Sequence, residues 1–243
     1  MKDITIAIEG STYAGSVAIL RGSEVLSERS LRGEEGSAHR TERGERLMPA
    51  LADCIAETGV SRHDVTRIVC GAGPGSFTSL RVAGSVAKGL ATGYGVDLYA
   101  VNSLLLTVAG LIQEERAVDR LRRKTPSAML APGPHLSLVD AMRGEFFGLR
   151  VLIEEAGTVK PMGRVELMTT DDIAELRQRK AILRCIGPGQ EIDVGPHARG
   201  VGVLLESILE QGPVDLASWE PDYGRLAEAQ VRWEAAHGRP LTT

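Results

Sequence analysis

The residue types best suited to chemistry fall in three short stretches. The loop Gly71-Ala72-Gly73-Pro74-Gly75-Ser76-Phe77-Thr78 sets glycines at alternate positions just ahead of a helical run. Closely spaced glycines let backbone N–H groups converge, and a helix N-terminus favours an anion, so this loop could cradle a phosphate. The same residues equally make a tight strand-to-helix turn, with Ser76 or Thr78 as the helix cap. The loop has neither the Gly-Lys-Ser/Thr ending of a P-loop nor a Gly-x-Gly-x-x-Gly spacing. Glu9, Ser11 and Thr12 follow one strand and Asp140 ends another. Acid-bearing loops of this kind either hold a magnesium nucleotide between two lobes or are ordinary turns. On the nucleotide reading the site is Glu9, Ser11, Thr12, Gly73, Gly75, Ser76 and Asp140, with Gly187-Pro188-Gly189 near the base.

Other chemistries find less support. His39, His63, His135, His197 and His237 are scattered, and no two stand at the i and i+4 spacing that aims both imidazoles at one metal. No metal site is expected. Gly75-Ser76-Phe77 places a bulky residue where a nucleophile elbow needs openness. Arg116, Arg120, Arg122, Arg123 and Lys124 share their segment with Glu114, Glu115 and Asp119, which suits a solvated helix face. The net charge of -4 lacks the basic footprint of a protein that grips nucleic acid alone. Any RNA substrate is then held by another subunit.

These stretches need elements to position them. Ile4 to Ile8 and Ser16 to Leu20 flank a polar turn and predict an opening hairpin, with a third strand from Glu24 to Leu31. Leu47, Met48, Leu51, Cys54 and Ile55 keep the three-and-four spacing of one helix face within Thr41 to Glu57. A strand from Arg67 to Cys70 leads into the glycine loop. A helix from Ser79 to Ala91 follows, carrying an Ala83, Val86, Ala87 and Leu90 stripe with Gly84 and Gly89 as close-approach points. Leu98 to Val101 completes a first lobe. Leu136 to Asp140 and Glu145 to Ile153 predict a second hairpin, with a strand in Val159 to Leu167, a helix from Asp171 to Gln178, a strand from Ala181 to Ile186 and a helix from Ala198 to Glu210. Leu226 to His237 reads as a surface helix or tail.

At 243 residues and 43% hydrophobic, the chain has enough apolar material for its own core. Two lobes are expected, residues 1–112 and 113–243, with the boundary placed by the charged run Glu114 to Lys124 and the loop built around Pro126, Pro132, Gly133 and Pro134 that ends it. Cys54, Cys70 and Cys185 are far apart, in keeping with a reduced compartment. Glu9 interrupts the opening apolar run before a secretory signal can form, and Leu104 to Ile112 is too short to span a bilayer. A soluble, cytoplasmic protein is expected.

Taken together, Ile6-Ala7-Ile8 with Ser11-Thr12, Gly73-Pro74-Gly75-Ser76-Phe77-Thr78-Ser79-Leu80-Arg81, Asp140-Ala141-Met142-Arg143-Gly144-Glu145 and Glu220-Pro221-Asp222-Tyr223-Gly224-Arg225 resemble the TsaB family of tRNA-modification proteins. The resemblance spans nearly the whole chain, and the Gly-Pro-Gly-Ser-Phe-Thr block is its most specific part. It implies an α/β fold of the actin-like, sugar-kinase-like class, with two related lobes of mixed sheets and flanking helices. It implies a non-catalytic partner of the threonylcarbamoyltransferase TsaD in the complex that makes threonylcarbamoyladenosine beside the tRNA anticodon. The TsaE ATPase and, indirectly, tRNA are further implied partners, with ATP and magnesium handled by other subunits and a homodimer formed by the isolated chain.

The partner surface implied is the two helices, through Leu47, Met48, Leu51, Ile55, Ala83, Gly84, Val86, Ala87 and Leu90. TsaD-like relatives carry two metal-binding histidines where this chain has Asn102-Ser103-Leu104-Leu105-Leu106-Thr107, and neither Ser103 nor Thr107 replaces an imidazole. Two positions depart from the family pattern: Glu9 stands where Asp is usual, and Ser79 where Gly is usual. An independent ATP-dependent kinase or transferase is the rival expectation.

Overall fold

The computed structural model describes residues 3–31, 46–122 and 130–225, together with His237. Two mixed sheets face each other across a shared core. The first has the order β3-β2-β1-β4-β5. Its strands are β1 (Ile4–Glu9), β2 (Ser16–Arg21), β3 (Glu24–Ser30), β4 (Val65–Gly71) and β5 (Asp97–Val101). Every residue of β1 is buried, which explains why Ile4, Ile6, Ala7 and Ile8 form a nearly unbroken apolar run rather than an alternating one. β1 pairs antiparallel with β2 and parallel with β4.

The second sheet repeats this arrangement. β6 (Gly133–Asp140) pairs antiparallel with β7 (Phe146–Ile153) and parallel with β10 (Cys185–Ile186). The expected strand in Val159 to Leu167 is two short ones, β8 (Val159–Pro161) and β9 (Glu166–Met168), interrupted where Gly163 takes φ 108°. The strand expected from Ala181 is shorter, Cys185–Ile186 alone.

Helices α1 (Leu47–Thr58) and α2 (Phe77–Tyr94) cover the outer face of the first sheet, each ended by a left-handed glycine, Gly59 and Gly95. The expected start of the first helix, residues 41–45, lies outside the described residues, as does most of the expected C-terminal helix. On the inner face runs α3 (Ser103–Arg122), of which the sequence reading took only the charged end, from Glu114, as a helix face. Leu104, Leu106, Val108, Ala109, Leu111 and Ile112 join Ala18 and Val69 of the first sheet to Leu149 and Val151 of the second in one core. The division expected at 112/113 falls within this helix. A 3-10 turn at Ala198–Gly200 and α5 (Val201–Gln211) pack beside it. Helix α4 (Thr170–Gln178), capped reciprocally by Thr169 and Asp172, covers the second sheet with Ile173.

After α5 the chain returns across the first lobe. Val214 N–H donates to Leu98 O, and Asp222 N–H donates to Ala72 O at 2.7 Å. Between them Trp219 and Pro221 lie over Gly84, where an added Cβ would meet Pro221 Cγ at 3.1 Å. Lys88 sits 5.9 Å from the Trp219 ring. This return segment, 213–225, straps α2 and the glycine loop together.

Candidate functional site

A cleft of about 590 Å³ opens where the two hairpins, the glycine loop and the return segment meet. Ser11, Thr12 and Tyr13 come from the turn after β1, Gly75 to Thr78 from the loop and first turn of α2, and Val139 to Met142 with Phe147 from the second hairpin. Pro188 and the strap residues Tyr223 and Arg225 complete the walls. Five of the expected nucleotide-site residues, Ser11, Thr12, Gly75, Ser76 and Asp140, therefore do meet at one place.

Two do not. Glu9 is fully buried behind the cleft, where its carboxylate accepts the Ser11 N–H at 2.5 Å and the Ser103 hydroxyl at 2.9 Å. Burial raises its pKa, and the hydrogen bonds from Ser11, Ser103 and the Gly10 amide oppose that rise. The Ser11 hydroxyl itself lies near enough to Glu9 to act on it, yet it reaches no hydrogen-bonding geometry with any described group. Glu9 braces the wall instead of holding magnesium in the cleft. Gly73 is buried as well, with φ 91° and its face against Asp222 O, which an added Cβ would approach to 2.2 Å.

The phosphate-cradle reading of the loop meets the same obstacle at each glycine. A Cβ on Gly71 would fall 1.8 Å from Glu9 Oε2, and one on Gly75 would fall 2.1 Å from Ser11 O. The glycines are needed because the chain's own atoms occupy the space beside them. Two of the loop amides are engaged too: Gly73 N–H donates to Ser103 Oγ at 3.0 Å and Ser76 N–H to Ser11 O at 2.7 Å. Ser76 stands at the N-cap position of α2, but its side chain takes the Ser79 hydroxyl at 3.1 Å rather than a helix amide.

What remains open to the cleft is largely apolar and aromatic. Phe77 and Tyr223 stack with ring centroids 4.6 Å apart, tilted by 48°. Arg225 pairs with Glu145 and lies 6.0 Å from the Phe147 ring, linking strap to second hairpin. At that hairpin Met142 and Arg143 adopt φ 67° and 60°, a left-handed pair that is costly for residues with side chains, and Asp140 Oδ1 accepts Met142 N–H at 2.8 Å. Met142 projects its side chain into solvent at the cleft mouth, 65% exposed. Sequence reasoning missed Tyr13, Phe77, Met142, Phe147, Tyr223 and Arg225 as lining. For Phe77, Met142, Tyr223 and Arg225 the signal was their place in the family-like blocks at 73–81, 140–145 and 220–225.

The expected partner stripe also needs correction. Leu47, Leu51, Ala83, Gly84 and Ala87 are buried inside the chain, the first two against the sheet and Gly84 under the strap. Ile55, Val86 and Leu90 are half-buried, and of the nine residues Met48 alone is exposed, at 47%. No group of three or more His, Cys, Asp or Glu suited to a metal exists among the described residues, and none of their helices is long and apolar enough to cross a membrane. All three cysteines are buried free thiols.

Known proteins resemble this chain in sequence and fold. The model of the family TsaD, tRNA N6-adenosine threonylcarbamoyltransferase, matches residues 38–152. A Pseudomonas aeruginosa protein described as similar to peptidase YeaZ superposes with a TM-score of 0.67 at 20% identity, covering 92% of this chain and all of that one. The fold is thus the actin-like α/β fold of two lobes. The Haemophilus influenzae tRNA threonylcarbamoyladenosine biosynthesis protein TsaB is 30% identical over 159 residues, a match covering 64% of this chain and 64% of the relative. Its Bacillus subtilis counterpart is 25% identical over 244 residues, covering 94% of this chain and 96% of the relative. The chain is thus similar to relatives named TsaB along nearly its whole length.

Within this fold, Asn102-Ser103 opens α3 rather than facing the cleft. Asn102 Oδ1 accepts Leu104 N–H at 2.8 Å, and the Thr107 hydroxyl donates to Ser103 O at 3.2 Å. Ser103 and Thr107 are both fully buried. The two positions at which the resemblance places metal-binding histidines in TsaD-like proteins serve here as internal ties of the core.

Proposed function

We propose that this chain acts in tRNA threonylcarbamoyladenosine formation as a non-catalytic subunit that docks and activates a TsaD-type threonylcarbamoyltransferase. The observation that carries this reading is the near full-length match to a relative named for that pathway, on a fold in which Ser103 and Thr107 are consumed by internal hydrogen bonds. ATP, magnesium and tRNA are then handled by other subunits, with a TsaE-type ATPase as a further partner in the cytoplasm. The isolated chain forms a homodimer through the surface that otherwise receives TsaD.

Docking through α1 and α2 uses their outward faces, because the inward stripe is core. Arg81, Ser85, Gly89 and Thr92 recur at three- and four-residue spacing along the exposed side of α2, and Met48 and Ala52 do so on α1. A Cβ on Gly89 meets nothing within 4 Å, so a partner helix can approach closely there. A stable interface needs roughly 800 Å² per partner, within reach of two helices of this length.

The test is co-purification with the cognate transferase and reconstitution of tRNA modification. Gly89→Glu and Ser85→Arg should leave the melting temperature unchanged and abolish both. Folded variants that still bind and support modification would place the interface elsewhere. Transfer or ATP hydrolysis by the pure chain, lost in Asp140→Asn, would favour an independent kinase or transferase.

A further inference from the structure

We propose that the cleft between the hairpins binds an uncharged, planar aromatic amine of about nucleoside size, without a metal ion. This is independent of the docking role and concerns a different face of the molecule.

The cleft's volume, about 590 Å³, lies within the range of roughly 300–1,000 Å³ typical of small-molecule sites. Its walls are mainly apolar and aromatic. Tyr13, Phe77, Phe147 and Tyr223 bring aromatic rings from the first hairpin, α2, the second hairpin and the strap, and Met142 supplies a flexible apolar edge. Tyr13 and Phe77 are 44% and 42% exposed, so part of each ring faces the cleft. A planar ring sliding between these faces removes apolar surface from water and adds offset stacking.

The polar groups select against charge. The acid at the cleft rim is Asp140, and a carboxylate there repels a phosphate and accepts an amino or hydroxyl donor. Arg225, the cation in the wall, is engaged by Glu145 and the Phe147 face. Two glycine-loop amides, those of Gly73 and Ser76, donate to Ser103 Oγ and Ser11 O and are not offered to a phosphate. Glu9, the acid that could have held magnesium, is sealed behind the wall. Glu9 and the Gly73 and Ser76 amides, which a magnesium nucleotide would use, are spent on the fold, while the space and the aromatic lining remain.

Adenosine is the probe, with inosine, AMP and ATP–magnesium as comparisons, titrated calorimetrically into the full chain. Adenosine should bind equally well in EDTA and in magnesium, and at least tenfold more tightly than AMP or ATP–magnesium. Asp140→Asn should erase its preference over inosine, which lacks the amino group. Tyr223→Ala should weaken binding at least tenfold. Because that change could also loosen the strap, Thr78→Trp, at an exposed position on the cleft wall, should block binding with the melting temperature retained. Tighter binding of ATP–magnesium, no binding of any probe, or adenosine binding unaffected by Thr78→Trp would overturn the proposal.

Discussion

The Ser103 hydroxyl donates to Glu9 Oε2 at 2.9 Å and accepts the Gly73 N–H at 3.0 Å, so a single atom joins the end of β1 to the glycine loop. All three residues are buried. Ser103→Ala leaves a carboxylate and an amide without this partner, and an unsatisfied buried group costs about 1–3 kcal/mol. Denaturant melts should show a loss of about 2–3 kcal/mol, whereas Ser103→Cys should recover part of it.

Glu9 gives this region a pH dependence of definite sign. Burial raises its folded pKa above the ordinary value of 4.5, so the folded state holds the proton more tightly than the unfolded state does. The stability this contributes is complete below pH 4.5 and is lost as pH rises through the folded pKa. Glu9→Gln cannot ionise. Its melting temperature should therefore gain on the parent's as pH increases from 4.5 to about 8, and parallel curves would show Glu9 to be ionised in the fold.

His197 behaves oppositely. Burial, aided by the adjacent Arg199 guanidinium, lowers its pKa from 6.5 to about 3, so the folded state keeps the ring neutral. Its Nδ1 accepts from Arg199 N–H and Nε–H, both at 3.1 Å. Stability from this group is present above pH 6.5 and is lost as pH falls toward 3. Each tenfold difference in proton affinity between the folded and unfolded states is worth about 1.4 kcal/mol, so the whole acid limb should carry about 5 kcal/mol. His197→Asn retains an acceptor at the start of the 3-10 turn and should flatten that limb of the stability curve.

Two glycines should respond to alanine in opposite directions. At Gly75 the new Cβ meets Ser11 O at 2.1 Å, forcing the two loops apart at a cost of about 1–3 kcal/mol. At Gly89 it meets open space inside a helix, where alanine is worth about 0.5–1 kcal/mol more than glycine. Thermal melts of the pair decide whether the loop glycines serve packing, because a glycine kept for a phosphate would tolerate the methyl group in the free protein.

Much of the framework was legible because strands and amphipathic helices announce themselves by period. Both hairpins, the helix after the glycine loop and the convergence of Ser11, Gly75 and Asp140 follow from that signal. Helix α3 did not, since it runs from a position between two sheets, where Leu104 to Ile112 are nearly all apolar, to a surface end rich in charge; its period changes midway. The stripe on α1 and α2 was recognised as a face but assigned to a partner. The same spacing marks any buried face, and period alone does not distinguish a chain's own sheet from another protein. Glu9 looked functional because its buried partner Ser103 lies 94 residues away in sequence. The strap, 213–225, carries no period at all, so nothing local placed its aromatic residues in the cleft.

That strap also orders events during synthesis. The carbonyl of Ala72 receives its hydrogen bond from Asp222, and Gly84 receives its cover from Trp219 and Pro221, all from the far end of the described chain. A nascent chain that has completed β1 to β5 and α2 therefore still shows solvent the small-residue surface of α2 and an unanswered loop carbonyl. The first lobe cannot finish before the second has been made, and shortening the chain ahead of Trp219 would leave both halves translated but the earlier one open to aggregation.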